Sequence, residues 1–383
     1  MEEIRLLRPD EFRAAAALAD LVFRDADHKS MGDAYPNAFS PSLLQSYGAF
    51  VDGAIVSFVG FVPSVIWIGD AHLNVYSIGA VCTHPDHRGK GYAGAILELI
   101  REHSRQAGVP IILVSGNRGM YERFGCRTFG NTASYLLDGE AMAKLANAPA
   151  AREAVLRPFA PTDWFAVRRL AGQRAVRFEQ SLWDLASMIR AEPTASNSKL
   201  IHRVWVAERG GEAAAFAVIA VPNGRIAPRG NPMLIEWAGD PVLAAALAAR
   251  GAGEARAEKL RAVVPRHESE FAGVLEQAGC AGAPGKQSGT IAVVDPEALL
   301  VQLAPWLEAK NAGAFSGLRF RLSENGGYVV EREGRSWELT PEAFISLVFD
   351  RNGAESISSG GEISPTADLF PIPFPYPAGL NFV

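Results

Sequence analysis

The run "HPDHRGKGYAGAILELI", His84 to Ile100, sets two glycines and two cations directly ahead of apolar residues at helical spacing. A helix N-terminus carries unpaired N–H groups and the positive end of the helix dipole. Gly89 and Gly91 remove the side chains that would keep an anion away from the backbone, and Arg88 adds a cation with several donors. This is the chemistry of a pyrophosphate cradle. It is not a P-loop, because no Gly-Lys-Ser/Thr follows a four-residue gap. It is not a dinucleotide fingerprint, because the glycine spacing differs and the strand before it belongs to an antiparallel meander.

Other reactive side chains are scattered. Cys82, Cys126 and Cys280 lie far apart and lack metal-ligand spacing, so they read as reduced, buried thiols of a cytoplasmic protein. Cys82 ends a strand and raises a covalent-relay alternative, against which its buried position counts. His84, His87 and His103 are candidate bases, two beside the loop and one far along the helix. Net charge is −5 with no block of like charges, which excludes bulk electrostatic binding of nucleic acid. The start "MEEIRLLRPDEF" has no signal-peptide core, and no apolar run is long enough to span a bilayer.

The elements that must hold the loop follow from periodicity. "DEFRAAAALADLVFRD" predicts a helix and "FSPSLLQSYG" a second short one. From Ala49 the period changes to that of three antiparallel strands, the last about Asn74 to Thr83. After the loop come a helix ended by Gly108, a buried strand "VPIILVSG", a short helix "GMYERFG" and a strand region "CRTFGNTASYLLD". An internal echo then appears: "IRLLRPDEFRAAAALA" near residue 4 is repeated as "AVLRPFAPTDWFAVRRLA" near residue 154. In the second copy the strand-to-helix junction "EWAGDPVLAAAL" has no Arg and a single Gly. The reading is three domains: 1–150 with the chemistry, 151–283 as a degenerate copy, and 284–383 as a small α+β domain. The run "SISSGGEISP" loosens the third domain before the apolar, proline-rich end "LFPIPFPYPAGLNFV".

Arg88-Gly89-Lys90-Gly91-Tyr92-Ala93 resembles the R/Q-x-x-G-x-G/A signature of the GCN5-related N-acetyltransferases, and the order of elements around it is that family's order. The whole chain is similar to the enhanced-intracellular-survival group, in which an active domain, a degenerate copy and a sterol-carrier-protein-like domain follow one another. The resemblance implies an α/β (α+β) fold with mixed, largely antiparallel sheets. It implies acetyl-CoA as cofactor and an acceptor that is a small-molecule amine or a lysine side chain, with homo-oligomers as a further expectation. A non-catalytic acyl-CoA or lipid-binding protein, or transfer of another acyl chain, remain as alternatives.

Acetyl transfer to an amine needs a base, because an amine of lysine type has a pKa of about 10.4. It also needs donors for the developing oxyanion and an acid for the departing thiolate. By the resemblance, backbone groups of Val81, Cys82 and Thr83 bind the pantetheine arm, and the loop from Arg88 through Lys90, Tyr92 and Ala93 to Gly94 holds the pyrophosphate. Gly116 and Asn117 flank the arm. Tyr121 is the acid, since a phenol keeps its proton until needed. The segment with Asp25, Asp27 and Asp33 lines the acceptor pocket, where carboxylates suit a cationic amine. The α-carboxylate of Val383, carried in by the stiff apolar tail, serves as base, directly or through water.

Overall fold

The computed structural model describes residues 1–313, 315–353, 366 and 368–383; the loosened run at 356–365 thus lies outside the described residues. In chain order the first elements are β1 (Glu2–Leu6), α1 (Phe12–Phe23), α2 (Met31–Ala34), β2 (Tyr47–Val51), β3 (Ala54–Ile68), β4 (Ala71–Thr83), α3 (Tyr92–Gln106), β5 (Ile111–Val114), α4 (Gly119–Arg123), β6 (Thr132–Leu137), α5 (Gly139–Ala146) and α6 (Pro149–Arg152). The second stretch has β7 (Val155–Pro158), α7 (Trp164–Gly172), β8 (Val176–Phe178), α8 (Leu182–Ala191), α9 (Pro193–Asn197), β9 (Leu200–Arg209), β10 (Glu212–Pro222), β11 (Met233–Gly239), α10 (Pro241–Glu254), β12 (Leu260–Pro265) and α11 (Ser269–Gln277). Last come β13 (Ala283–Gly285), β14 (Thr290–Val293), α12 (Pro296–Lys310), β15 (Arg319–Leu322), β16 (Tyr328–Arg332), β17 (Arg335–Leu339) and α13 (Pro341–Phe349). The helix expected over "FSPSLLQSYG" is turn and coil, and the short helix lies earlier, at α2. Ser30 makes the difference, because its hydroxyl accepts from Asp33 N–H and caps α2.

The strands form two mixed sheets of one pattern and a third small one. The first runs β1-β2-β3-β4-β5-β14, with β8 added to the far end of β3; the second runs β7-β9-β10-β11-β12-β6-β13. In each, four antiparallel strands are followed by one parallel strand. The neighbour of that parallel strand comes from elsewhere. β6, inside the expected first domain, pairs antiparallel with β12 of the second sheet, and β14, inside the expected third, pairs with β5 of the first. Hydrophobic alternation reveals a strand and its faces; it says nothing about which sheet edge the strand completes.

The sequence echo is a structural repeat in detail. Arg5 holds Glu11 through two nitrogens at 2.8 Å each, and Arg157 holds Asp163 through two at 2.7 Å. Each carboxylate also accepts a backbone N–H at the start of its turn, from Arg8 and from Ala160. The same bidentate clamp fixes the strand-to-helix corner in both halves.

β5 is buried on both faces, as a central parallel strand should be. Ile111 and Leu113 face a core shared with α12, α13 and the small sheet β15-β16-β17; Ile112 and Val114 face the core under α3. The third domain therefore covers one face of the first sheet. The tail then crosses all three units. Phe370, Ile372 and Phe374 are buried in that shared core, Leu380 in the cluster between α7, α8 and the second sheet, and Phe382 and Val383 pack on the cluster beneath α1 and α2.

Candidate active site

The loop site is built by a break in the first sheet. The β4–β5 ladder ends at Ile78 opposite Val114, and Ser115 N–H reaches Ile78 carbonyl at 3.3 Å as the last tie. Just beyond, Ala80 adopts a left-handed φ of 52°, and the β3–β4 register shifts between Phe58 and Gly60. A bulge of this kind bends one strand away from its neighbour. β4 continues from Gly79 to Thr83 with its β5 side open, while Ser115 and Gly116 leave in another direction. The wedge between them exposes backbone donors and acceptors suited to an amide-bearing arm.

At the end of the wedge, Gly91 caps α3 at φ 84° with no side-chain hydrogen bond, and Gly89 turns at φ 77°. A Cβ at Gly89, Gly91 or Gly94 would meet nothing within 4 Å, so the first-turn N–H groups of α3 face open space. Arg88, Gly89 and Lys90 are exposed; Arg88 Nε lies 3.4 Å from Thr83 carbonyl. Tyr92 is buried and its hydroxyl donates to Glu2 at 2.7 Å, which fixes the helix start against β1. Ala93 is half-buried behind this loop. The residues present fit a ligand with a diphosphate and a long amide arm.

A cavity of about 330 Å³ opens on the other side of the wedge. It is lined by Ala80 and Val81 of β4, by Ser115, Gly116 and Arg118 of the loop after β5, by Tyr121 of α4, by the α1–α2 segment, by Asn197 and Arg229 from the second repeat, and by Phe382 and Val383. Tyr121 is 5% exposed, and burial pushes its phenol up to about 12. Gly116 is required beside it, since a Cβ there would sit 3.1 Å from the Tyr121 ring. Thr290 of β14 donates to Gly116 carbonyl at 2.8 Å, so the exchanged strand steadies this loop. Val383 lies against Gly79: a Cβ on that glycine would come within 2.5 Å of the Val383 oxygen and closer still to its carbonyl carbon.

The structure brings Val81, Gly116, Tyr121 and Val383 to one cavity, with Arg88 to Gly94 at the wedge's outer end. Asn117 is exposed and outside the cavity lining. Thr83 pairs its hydroxyl with Ser57 at 2.9 Å. Cys82 packs into the α1–α2 core, where burial pushes its thiol up to about 12, so its surroundings give the covalent relay no support. Asp25, Asp27 and Asp33 do not line the cavity. Asp25 lies 3.0 Å from Lys199 and 2.7 Å from Arg229, and Asp27 lies 3.4 Å from Lys199. A hydrogen bond from Lys199 holds the Asp25 carboxyl down at about 2. Asp33 sits in the first turn of α2. Asp25 and Asp27 thus tie the α1–α2 segment to Lys199 and Arg229, and none of the three acids lines the cavity. His103 is held between the Tyr47 hydroxyl at 2.9 Å and the Tyr76 hydroxyl at 3.3 Å, away from the cavity. Sequence reasoning missed Arg24, His28, Arg118, Asn197 and Arg229; the last two come from the second domain, and no local pattern announces a partner across a domain junction.

Residues 3–129 match the acetyltransferase (GNAT) domain family. No curated protein sequence matches the chain. Among solved structures, a GCN5-related N-acetyltransferase from Anabaena variabilis superposes with a TM-score of 0.67 at 12% identity, covering 100% of both chains. One from Kribbella flavida gives 0.63 at 13% identity over 100% of this chain and 98% of that one. Eis1 from Mycobacterium abscessus gives 0.58 at 13% identity over 98% of each. The first domain is thus an acetyltransferase domain of GNAT type. The protein is an N-acetyltransferase, and acetyl-CoA is its donor.

Proposed function

We propose that the protein transfers acetyl from acetyl-CoA to a primary amine by direct attack in a ternary complex, with Tyr121 as acid and the Val383 carboxylate as base. The observation that carries this reading is that Tyr121 and Val383 line one cavity at the end of the β4–β5 wedge. Acetyl-CoA supplies an acetyl thioester in that wedge. The bare start of α3, with Arg88 and Lys90, binds the pyrophosphate. The open edge of β4 at Val81 to Thr83 orients the arm. Tyr121, with its proton held by burial, donates to the departing sulfur. The Val383 carboxylate accepts the amine's proton, directly or through one water, in a cavity walled by Tyr35 and Phe382 that limits competing solvation.

The three units fit the enhanced-intracellular-survival arrangement: a catalytic domain, a second GNAT-like domain without a basic glycine loop, and a sterol-carrier-like third domain. The three buried thiols suit a reducing cytoplasm.

The test is Tyr121→Phe. The ring and its packing on Gly116 stay, and only the hydroxyl goes. Turnover should fall by about 10²–10⁴-fold with acetyl-CoA affinity retained. Full turnover, with chemistry shown to limit the rate, would take Tyr121 out of the acid role.

A further inference from the structure

Three arginines and a histidine stand around the acceptor cavity. Arg24, His28, Arg118 and Arg229 line it, and none of its lining side chains is a carboxylate. Their partnering is uneven. His28 Nδ1 lies 2.8 Å from Asp25, and Arg229 reaches the same Asp25 at 2.7 Å, so both already face a carboxylate. Arg24 spends its two terminal nitrogens on neutral oxygens, those of Asn197 and Ser196, each at 3.2 Å. Its Nε is buried and has no hydrogen-bond partner. Among the described residues, no side-chain carboxylate lies within 4 Å of Arg24 or Arg118. A buried guanidinium donor left unpaired is costly and calls for an oxygen partner, which a ligand in the cavity can supply. The pyrophosphate does not fill this role for Arg24, because the α3 loop lies at the opposite end of the wedge and Arg24 caps the C-terminus of α1.

We infer that the acceptor amine also carries a carboxylate, and that Arg24 and Arg118 bind it; the acceptor is a small amino-acid-like molecule, not a polycation. This rests on the acetyltransfer reading above and names the substrate class of the same site. Guanidinium forks match a carboxylate in geometry as well as charge. A cavity of about 330 Å³ holds such a molecule beside the acetyl group, near the lower end of the range for ligand sites. A polyamine or aminoglycoside would bring further cations against the arginines. The amine end then points to the Val383 carboxylate, so opposite charges on the acceptor face opposite charges on the protein.

The experiment compares kcat/KM, with the full chain and saturating acetyl-CoA, across the standard amino acids and spermidine. The best amino acid is then compared with its carboxamide and with its decarboxylated amine. The carboxylate form should be preferred by about 10–100-fold over both, the size expected for one charge-assisted contact. Arg24→Gln should raise KM for the acid and erase most of that preference while leaving KM for acetyl-CoA unchanged. Arg118→Gln, at an exposed position that does not threaten folding, should do the same in part. Spermidine turned over better than every amino acid would overturn the inference, as would a carboxylate preference untouched in both variants. Acetyl-CoA binding by calorimetry with no carboxylate-bearing amine acetylated would also overturn it. Absence of acetyl-CoA binding would instead refute the acetyltransfer reading.

Discussion

Gly79→Ala is the sharpest probe of the terminal carboxylate, because it acts on Val383 without altering it. Gly79 is not in the left-handed region, so alanine fits its backbone. The nearest atoms to the new methyl all belong to Val383, with the oxygen at 2.5 Å and Cγ1 at 2.8 Å. Ordinary contact begins near 3.4 Å, so the oxygen must retreat by about 0.9 Å and the carbonyl carbon by more. The tail has no room to slide as a unit: Leu380 is fully buried and Thr194 donates to Ala378 carbonyl at 2.9 Å. The displacement therefore falls on the last residues. A misplacement of about 1 Å at a reacting group costs about 10²-fold in rate. We expect kcat to fall by about that factor, with acetyl-CoA affinity by calorimetry unchanged, since the methyl points away from the loop. Deleting Phe382 and Val383 in both backgrounds completes a double-mutant cycle, and the alanine should cost nothing further once the terminus is gone. Wild-type turnover in Gly79→Ala, or an equal loss in the truncated chain, would refute the reasoning.

Gly91→Asp puts a strained residue and a negative charge at the start of α3, and should weaken acetyl-CoA binding by at least about tenfold in calorimetry. A Gly-Ser extension after Val383 should abolish most turnover while leaving acetyl-CoA affinity intact, read by thiol release and calorimetry in parallel. His202 is buried, with Nδ1 3.0 Å from Ile189 carbonyl, and burial pulls its pKa down to about 4. A depressed folded value means the unfolded chain takes the proton first, so this stability is present above about pH 6.5 and lost as pH falls towards about 4. The loss amounts to about 3 kcal/mol in urea titrations, and His202→Asn should flatten that acid dependence.

What was legible in the sequence was local. The loop from Arg88 to Gly94 declared its anion chemistry because bare glycines, a cation and a helical pattern coincide in ten residues. The repeat is visible as a strand, an Arg-Pro pair, an acidic residue and an amphipathic helix in both halves, but the clamp itself is not, because Arg5 and not the Arg8 of the first Arg-Pro pair matches Arg157. Tyr121 and Val383 came from the family resemblance, and the fold carries both to one cavity. What was not legible was long-range. The exchange of β6 and β14 leaves no mark, because a strand's alternation is the same in either sheet. Asp25 and Asp27 were read for their charge, yet that charge is spent on Lys199, 172 or more residues away. The bulge at Ala80 has no residue signature, since alanine at φ 52° is held there by its neighbours.

The corresponding strand-to-helix junction of the second repeat carries different chemistry. Where α3 begins on a bare loop, α10 begins on Asp240, whose carboxylate accepts from Val242 and Leu243 N–H and pairs with Arg209 at 2.8 Å. The chain's own anion sits where a pyrophosphate would, and Pro241 removes a further donor. Gly239 cannot accept a Cβ, which would overlap the carbonyl oxygen of Ala214, so β10 and β11 are locked together there. The strand β11 instead serves the tail. Gly379 passes close over Ile235 carbonyl and Glu236, and Tyr376 and Trp237 line one small pocket. α9 adds the Thr194 hydrogen bond, and α9 with the loop after β10 contributes Asn197 and Arg229 to the acceptor cavity. The repeat without a bare glycine loop at its junction is thus the one on which the tail packs before Val383 reaches the cavity.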